Sequence, residues 1–414
     1  MEPFSFPAIE KRAFVMNHLT AINPQGLSAY VARPAAGTGP LLLVLQEIFG
    51  VNKNIRDLCD EFAAEGYLAM APDLFWRQQV GIDIDPSQPD AMGQALALLE
   101  KFDDQQAMED LQHCIAYARS QWQSDGPVAA IGYCLGGRLA FRALHDTEVN
   151  SSVSYYGVGL EALVSEALPT GKAALLHVAQ NDNYCPPSAQ ATLLAAAHNA
   201  LKVHIYPGCD HAFARMGSAH FNADNARLAY DRTMNFLVPR VGPAYDLEAL
   251  WEKHVDYEFT TRDADLTMGT MVAQPYVNHI PTMTGGVGYL DLRRFYKDYF
   301  IGANPDDTMQ VSVSRTQGVR QVVDELIFSF THDRQMDWLL PGVAPTGRKV
   351  RFGLVGVVRF KGDKLCHEHI YWDQASVLVQ VGLLDPKGLP VVGVEGADKI
   401  TDNSIPSNHL IASW

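Results

Sequence analysis

Apolar runs alternate with amphipathic segments along the first 240 residues. The apolar runs, each long enough for a buried strand, fall at 41–47, 67–74, 128–134, 151–157, 174–182 and 203–208. Stretches such as 54–66 and 107–121 lie between them and have the spacing of amphipathic helices. This alternation predicts a parallel sheet covered by helices on both faces, with two further short strands over 13–33. The ligand site of such a sheet lies beyond the carboxyl ends of its strands.

The pattern changes at residues 239–243, which read Pro-Arg-Val-Gly-Pro and predict a linker. Beyond it, 249–271 and 284–302 have helical patterns, whereas 308–333 and 348–373 are long strand-like runs without a helix between them. Helices followed by strands predict an α+β fold with a curved, mostly antiparallel sheet. We therefore expect two domains of different class, an α/β domain over 1–240 and an α+β domain over 245–414.

The composition narrows the class of protein. Of 414 residues, 47% are hydrophobic and 19% charged, and the formal net charge is −15, which disfavours a nucleic-acid-binding protein. The sequence has no apolar run long enough for a membrane span, and its start lacks a signal-peptide pattern. Its six cysteines are scattered without zinc-type spacing, which favours reduced thiols. These features predict a cytoplasmic protein.

One cysteine stands in a special setting. Residues 131–138 read IGYCLGGR, between the apolar run that begins at 128 and a helix-compatible stretch. Strand, tight turn and helix is the arrangement in which hydrolases present a nucleophile, usually serine. Gly132 and Gly136 would allow the backbone to pack closely around Cys134. The alternative is a buried structural cysteine beside packing glycines, because free cysteine is among the most buried residue types.

A thiol nucleophile needs a base and a group that orients the base. In α/β-hydrolases the acid and then the histidine follow the nucleophile along the chain. Asp182 comes at the end of the run 174–182, and His211 comes just after the run 203–208. Asp210 is a rival acid, but neighbouring loop side chains usually diverge, so we favour Asp182. Taken singly, each could be an ordinary turn or loop residue.

The first 240 residues resemble the dienelactone hydrolase family, the carboxymethylenebutenolidases of the α/β-hydrolase fold. The stretches that carry the resemblance are GYCLGG (132–137), LQEIFGVN (45–52), FWRQQ (75–79) and DHAFAR (210–215). The family implies a catalytic triad of Cys134, His211 and Asp182. It also implies an acidic small-molecule substrate, either a lactone or an activated ester that carries a carboxylate.

The resemblance implies further roles at the same site. Glu47 would contact the thiol in the resting enzyme, and Arg77 and Arg215 would hold the substrate carboxylate. The backbone N–H groups of Leu135 and Ile48 would stabilise the oxyanion. Surface salt bridges are the alternative for the two arginines, because most arginines are exposed. The segment 76–94 would border the pocket and bear on its specificity.

Two classes of function follow. In the first, the thiolate opens a lactone, a thioester forms, and water activated by His211 hydrolyses it, with no cofactor and no metal. In the second, the pocket captures a carboxylate ligand, or Cys134 responds to oxidation, without turnover. A base and an acid beside Cys134 favour turnover, because a sensor needs neither.

Residues 245–414 resemble the SnoaL-like members of the nuclear-transport-factor-2-like superfamily, which are α+β cones with a pocket lined by a curved sheet. The resemblance rests on 276–286, 292–300 and 366–384. Polar residues that such a pocket could contain are His279, His332, Asp333, Glu368, His369, Tyr371 and Asp373. Superfamily membership does not fix a role. We expect a dimerisation or small-molecule-binding module, hence a homodimer, with a second catalytic site of isomerase or cyclase type as the rival.

Strand alternation divides the residues of LCHEHIYWD between two faces. Cys366, Glu368, Ile370 and Trp372 would share one face, and His367, His369, Tyr371 and Asp373 the other. The pattern leaves open which face is concave. A metal site built from His332, His367 and His369 is conceivable, although histidines without a shared geometry are more often structural or solvated.

Overall fold

The computed structural model describes residues 18–414. The chain divides into two compact units, with the boundary between Ala244 and Tyr245. Each unit has its own cluster of buried apolar side chains. Part of the strand pair expected over 13–33 falls outside the described residues.

The first unit alternates strands and helices over the part of the chain that the structure describes. Its strands are β1 (His18–Ala21), β2 (Ser28–Ala32), β3 (Leu41–Leu45), β4 (Leu68–Pro72), β5 (Val128–Tyr133), β6 (Val149–Tyr155), β7 (Ala173–Ala179) and β8 (Leu201–Tyr206). Its helices are α1 (Lys53–Ala64), α2 (Ala91–Leu99), α3 (Asp104–Trp122), α4 (Leu135–Asp146), α5 (Pro187–Ala196) and α6 (Ala223–Val241), with a short 3₁₀ turn at Leu160–Ala162.

These strands form one sheet in the order β1-β2-β4-β3-β5-β6-β7-β8. β2 pairs antiparallel with β1 and with β4, and the other neighbours are parallel. Every residue of β3, β4, β5 and β7 is buried, as expected for strands covered on both faces. The predicted α/β architecture is confirmed.

Helix boundaries follow from local capping. The Asn52 side chain accepts a hydrogen bond from the Ile55 N–H at the start of α1, and the Asp103 side chain accepts two backbone N–H groups at the start of α3. Helix α2 begins at Ala91, within the segment 76–94, and continues to Leu99. The sequence pattern did not predict this helix. Its sequence, AMGQALALL, has no polar stripe, so hydrophobic periodicity gives no signal there.

The predicted linker is partly helical. Helix α6 passes through Pro239 and ends at Val241, followed by Gly242 with φ 77°. Glycine adopts this left-handed conformation without steric penalty, which makes it a common terminator of helices. The break in the pattern therefore marks the end of a helix as well as the boundary between the units.

The second unit combines a sheet with short helices. Its strands are β9 (Met271–His279), β10 (Thr284–Val287), β11 (Met309–Gln317), β12 (Gln321–Thr331), β13 (Lys349–Lys361) and β14 (Lys364–Trp372). Its helices are α7 (Leu247–Phe259), α8 (Ala264–Gly269), α9 (Tyr289–Phe295), α10 (Gln374–Gln380) and α11 (Glu395–Thr401), and a π-helical turn spans Tyr296–Phe300.

The six strands pair in the order β10-β9-β14-β13-β12-β11. All pairs are antiparallel except β14 with β9. Buried and partly exposed residues alternate along β13, so one face of the sheet covers the core. The predicted α+β class and the mostly antiparallel sheet are confirmed.

The start of the segment 284–302 differs from the expected helix. It begins as β10, which pairs antiparallel with β9, and only then enters α9. A Cβ at Gly285 would lie 2.0 Å from the Val277 carbonyl oxygen, so the close pairing of these strands depends on glycine. Within residues 18–414, no helix combines the length and apolar character needed to cross a membrane.

Candidate active site

Cys134 occupies the turn between β5 and α4. Its backbone has φ 56° and ψ −114°, a conformation that costs a non-glycine residue about 1–3 kcal/mol. Backbone hydrogen bonds hold it: the Cys134 N–H donates to the Tyr155 carbonyl, and the Cys134 carbonyl accepts from the Gly137 N–H, each across 3.0 Å. The turn presents a partly exposed thiol at the carboxyl end of a central strand.

Two glycines make this turn sterically feasible. A Cβ at Gly132 would lie 1.9 Å from the Gly136 carbonyl oxygen, and a Cβ at Gly136 would lie 2.3 Å from the Leu45 carbonyl oxygen. Any side chain at either position would push α4 away from β3 or β5. The Gly136 N–H donates to the Gln46 carbonyl across 3.0 Å, which fixes the segment after β3 beside the start of α4.

His211 and Asp182 meet next to this turn. The His211 Nδ1–H donates to Asp182 Oδ2 across 2.7 Å, and the other carboxylate oxygen accepts the Tyr184 N–H at 2.9 Å. The Cys134 side chain lies close enough to His211 to raise the pKa of the imidazole. The rival acid, Asp210, pairs instead with His220 at 3.2 Å. The structure thus places Cys134 beside His211, which is hydrogen-bonded to Asp182.

The protonation of His211 depends on both neighbours. Burial lowers the pKa of His211, but the hydrogen bonds with Asp182 and Cys134 outweigh burial and raise that pKa to about 10. The ring packs edge-on against Tyr156 and Tyr184, with ring centres 5.0 and 4.9 Å away. These contacts fix the plane of the imidazole while its two nitrogens serve Asp182 and the thiol.

Glu47 and Arg215 form a second charged pair at the site. Glu47 follows β3 and is buried, and its Oε2 accepts a hydrogen bond from Arg215 Nη1 across 3.0 Å. Its other oxygen, Oε1, is buried and has no hydrogen-bond partner among the described residues. Burial lowers the pKa of Arg215, but Glu47 outweighs that effect and raises it; the Cys134 charge acts in the same direction.

Two backbone N–H groups are free at the predicted oxyanion position. Leu135 is the first residue of α4, and Ile48 lies in the segment that Gly136 holds against that helix. Over residues 18–414, neither N–H donates to a protein acceptor. Unpaired N–H groups at a helix N-terminus attract negative charge. The pair therefore has the chemistry that a tetrahedral oxyanion requires.

Arg77 is held by an acidic residue of α3. Its guanidinium makes two hydrogen bonds to Asp110, at 2.5 and 3.1 Å, and lies over the ring of Trp76 at 4.5 Å. The Trp76 indole N–H donates to the same carboxylate across 3.0 Å. The structure therefore pairs Arg77 with Asp110 and Arg215 with Glu47, and the contact of either arginine with a substrate stays a prediction.

Tyr156 is a site residue that the sequence analysis missed. It directly follows β6, has φ 41° and is buried, and its hydroxyl has no hydrogen-bond partner among the described residues. Burial raises the pKa of this phenol, and the charges of Glu47 and Cys134 add to the effect. Its place at the carboxyl end of a parallel strand was a signal that could have identified it.

The predicted pocket residues His279 and His332 have different surroundings. His279 lies among aromatic rings, with the Trp338 ring centre 5.1 Å away, and His332 is within hydrogen-bond distance of Thr346. Among the described residues, His332, His367 and His369 do not converge to within metal-ligand distance of one another.

From Glu368 onward the two faces of β14 separate as the alternation predicted, whereas Leu365 is buried and Cys366 partly exposed where the register shifts. Glu368, Ile370 and Trp372 are buried, whereas Tyr371 is exposed. Glu368 therefore points into the core of the second unit. There it lies beside His254 of α7, which the sequence analysis did not single out.

Comparison with known proteins agrees with this division of the chain. Residues 27–240 match the family model described as the dienelactone hydrolase family, and residues 257–381 match that described as SnoaL-like polyketide cyclase. An Azospirillum brasilense protein named "Putative carboxymethylenebutenolidase" is 44% identical over 220 residues, which are 52% of this chain and 94% of that protein. A Pseudomonas putida protein named "Carboxymethylenebutenolidase" is 39% identical over 213 residues, 51% of this chain and 90% of that protein.

A solved structure from Klebsiella pneumoniae subsp. pneumoniae, described as a "Putative Dienelactone Hydrolase", shares 31% sequence identity with a TM-score of 0.46 and covers 53% of this chain and 97% of its own. The first family model spans more than half of the sequence and includes Cys134, Asp182 and His211. The chain belongs to the dienelactone hydrolase family.

Proposed function

We propose that the first unit is a cysteine-dependent hydrolase that opens a carboxylate-bearing lactone, or an activated ester, through a thioester of Cys134. The observation that carries the proposal is the position of Cys134 beside His211, whose ring donates a hydrogen bond to Asp182. A nucleophile, a base and a group that orients the base are what acyl transfer requires. Relatives named carboxymethylenebutenolidase support a lactone as the substrate class.

The nucleophile is the Cys134 thiolate. The raised pKa of His211, about 10, favours an imidazolium at neutral pH, and a positive charge beside a thiol favours its ionised form. Asp182 accepts the Nδ1–H, so the Nε2 side of the ring is directed to the sulfur. The attacking form of the nucleophile is therefore a thiolate beside an imidazolium.

In the acylation step, sulfur bonds to the lactone carbonyl carbon. The N–H groups of Leu135 and Ile48 stabilise the oxyanion, the ring C–O bond breaks, and the leaving oxygen takes a proton from His211. The thioester carries no charge, so His211, which has given up its proton, loses one of the two partners that raised its pKa and acts as a base. It then takes a proton from water, hydroxide attacks the thioester, and the thiolate leaves.

Recognition of a carboxylate falls to Arg215, with Arg77 as a second contact. Arginine binds carboxylates through two parallel N–H groups, which gives both affinity and orientation. A substrate carboxylate that attracts Arg215 weakens its bond to Glu47. Glu47, whose Oε1 already lacks a partner, then becomes available to accept the thiol proton of any enzyme molecule that rests as the thiol. Substrate binding would thereby promote formation of the nucleophile.

The test is hydrolysis of cis- and trans-dienelactone by the full chain, followed by ultraviolet absorbance. Replacing the nucleophile in Cys134→Ala should lower kcat/KM by about 10³-fold or more, as loss of a triad member does in other acyl-transfer enzymes. Cys366→Ala is the matched control, because Cys366 is also partly exposed, and should keep the wild-type rate.

The outcomes separate the two classes of function. Turnover that disappears only in Cys134→Ala supports the hydrolase. A wild-type chain that turns over neither lactone nor p-nitrophenyl acetate, while Cys134 still reacts with iodoacetamide, would favour ligand binding or redox sensing instead.

Carboxylate recognition has its own test. In Arg215→Met, the ratio of kcat/KM for dienelactone to kcat/KM for uncharged p-nitrophenyl acetate should fall about 10- to 100-fold, which corresponds to one charged hydrogen-bonded contact. The ratio cancels damage to the thiol that both substrates share. Arg142→Met, which alters an arginine paired with Asp146 on α4, should leave the ratio unchanged. An unchanged ratio in Arg215→Met would exclude Arg215 as the carboxylate contact.

A further inference from the structure

A cluster of polar side chains lies in the core of the second unit. His254 and Glu258 are one turn apart on α7, Glu368 comes from β14, and Tyr296 begins the π-helical turn. All four are at least nine-tenths buried, with exposures of 0%, 4%, 3% and 1%. Ionisable groups this deep are rare unless they are paired or bind a metal.

The four groups converge on one nitrogen. His254 Nε2 lies 3.2 Å from Glu258 Oε1, 3.1 Å from Glu368 Oε1 and 3.4 Å from the Tyr296 hydroxyl oxygen. The tyrosine hydroxyl also donates to Glu368 Oε1 across 3.3 Å. One donor nitrogen and two carboxylate oxygens thus lie within 4.8 Å of one another.

The other ring nitrogen defines the tautomer of His254. Nδ1 is 2.6 Å from the Thr270 hydroxyl, and that hydroxyl donates its proton to the Thr267 carbonyl, also across 2.6 Å. A hydroxyl has one proton, so Thr270 must accept from Nδ1–H. A neutral His254 therefore presents an Nε2 lone pair to two carboxylates.

When both glutamates are ionised, the cluster has too few protons to form a hydrogen bond at each of these contacts. With neutral His254 and both glutamates ionised, the Tyr296 hydroxyl holds the only proton that points into the cluster, and the two carboxylates face a lone pair. With protonated His254, a single N–H must serve two carboxylates, and the buried group keeps a net charge of −1. Uncompensated buried charge is strongly unfavourable. One divalent cation with a neutral imidazole and two carboxylates makes the group electrically neutral.

We propose that His254 Nε2, Glu258 and Glu368 bind one divalent first-row metal ion of the Zn²⁺ or Mn²⁺ type, with the Tyr296 hydroxyl as a fourth contact. Ligand atoms bonded to one ion at about 2.1 Å are about 3.0–3.5 Å apart in octahedral or tetrahedral geometry. The observed separations of 3.1 and 3.2 Å fall in that range. An imidazole with carboxylates suits these ions better than Ca²⁺ or Cu⁺.

The surroundings resemble the support that metal-binding histidines usually have. A histidine ligand commonly donates its second N–H to an oxygen that fixes the ring, and Thr270 has this role here. Trp251 stacks on the His254 ring, with ring centres 5.7 Å apart and planes inclined by 17°. Tyr296 begins a π-helical turn, an irregularity that is frequent at functional sites. The ion would join α7, β14 and the π turn inside the second unit.

The experiment measures metal binding by the full chain after treatment with a chelator. Purified protein is titrated with Zn²⁺ by calorimetry and with Co²⁺ by visible absorbance, which reports the geometry around the ion. We expect one equivalent per chain. Glu258→Gln and Glu368→Gln, which preserve side-chain shape, should each weaken binding at least about 100-fold. Thr270→Val, which keeps all the ligands, should weaken it about 10- to 100-fold.

Glu325→Gln is the matched control. Glu325 is a glutamate of β12 that accepts from Ser314 and lies outside the cluster, so this variant should bind like the wild type. Circular dichroism and thermal melting verify that each variant is folded. Absence of tight binding by the wild type, or binding that folded Glu258→Gln and Glu368→Gln retain undiminished, would overturn the proposal. The assay needs no turnover by Cys134, so its outcome is independent of the proposed hydrolase.

Discussion

At the scale of single residues, the charge on His211 links the geometry of the site to its proposed chemistry. Asp182 accepts a hydrogen bond from one ring nitrogen, and Asp182 and the nearby Cys134 both favour the protonated ring against the effect of burial. An imidazolium beside the thiol suits the attack, and its loss of charge after acylation suits the hydrolysis. The same residue thus changes from acid to base because its neighbour changes charge.

This balance predicts the titration of His211. In the wild type its pKa should be near 10, and in Cys134→Ala it should fall, because one of the two stabilising partners is removed. NMR of labelled histidine side chains measures both values, with exposed His220 as an internal reference. A wild-type His211 that titrates at or below about 6.5, the value for a free histidine, would contradict the expected thiolate and imidazolium pair.

The same shift affects stability, with a defined sign. The folded pKa of about 10 lies above the unfolded value of 6.5, so protonated His211 stabilises the folded state. That contribution is fully present below about pH 6.5 and is lost as the pH rises to about 10. Between about pH 6.5 and 10, the free energy of unfolding should fall less for His211→Gln than for the wild type, as measured by denaturation at each pH.

The residues found from sequence share one property. Cys134, Asp182 and His211 each follow a strand with a clear apolar pattern, so their common location could be predicted from chain order. The pairing of Arg77 with Asp110 could not be predicted from sequence, because Asp110 comes from a helix whose rotation against the sheet is set by tertiary packing. The spacing of His254 and Glu258 was visible in sequence, but only β14 and the π turn supply their partners.

At the scale of elements, the site depends on how closely α4 approaches β3 and β5. Sequence patterns identified these elements, because both strands are fully buried apolar runs and a helix-compatible stretch follows Cys134. They failed for α2, which has no polar stripe, and for the start of 284–302, where pairing with β9 overrides a helical pattern. Tertiary contacts decide the structure of such segments.

The substitution Gly136→Ala tests how closely α4 must approach β3. Its Cβ would lie 2.3 Å from the Leu45 carbonyl oxygen, so α4 must shift and move Cys134 relative to the N–H of Ile48. We expect a loss of about 2 kcal/mol or more in the free energy of unfolding and at least a tenfold loss of kcat, from overpacking and misplaced oxyanion donors. Urea denaturation and lactone hydrolysis measure these effects.

Gly93→Ala is the control for this substitution. Gly93 also lies in a helix, α2, but a Cβ there would meet nothing within 4 Å. Alanine should therefore stabilise the protein by up to about 1 kcal/mol and leave kcat unchanged. If Gly136→Ala and Gly93→Ala had the same effect on the free energy of unfolding and on kcat, the approach of α4 to β3 would be less constrained than the structure indicates.

At the scale of the whole molecule, two units with separate cores share one chain. The core of the first unit and the core of the second consist of different residues, and each unit has a complete sheet of its own. The proposed hydrolase lies entirely in the first unit, and the proposed metal site lies entirely in the second. The homodimer expected from the second domain stays a prediction.

This separation predicts the effect of truncation. A chain that ends at Ala244 keeps all of α6 and every residue of the proposed hydrolase site. It should fold cooperatively and hydrolyse dienelactone with kcat/KM within about threefold of the full chain. A folded but inactive truncated chain would show that the second unit contributes to turnover.

The most direct test of the account is to identify the residue that carries the acyl group. His211→Ala lacks the base for hydrolysis of the thioester but keeps Glu47, the proposed acceptor of the thiol proton, so incubation with dienelactone should leave one substrate mass on the peptide that contains Cys134. Mass spectrometry locates this adduct, and hydroxylamine should release it, as expected for a thioester. An adduct on another residue, or lactone consumed by His211→Ala while Cys134 stays unmodified throughout, would contradict the account.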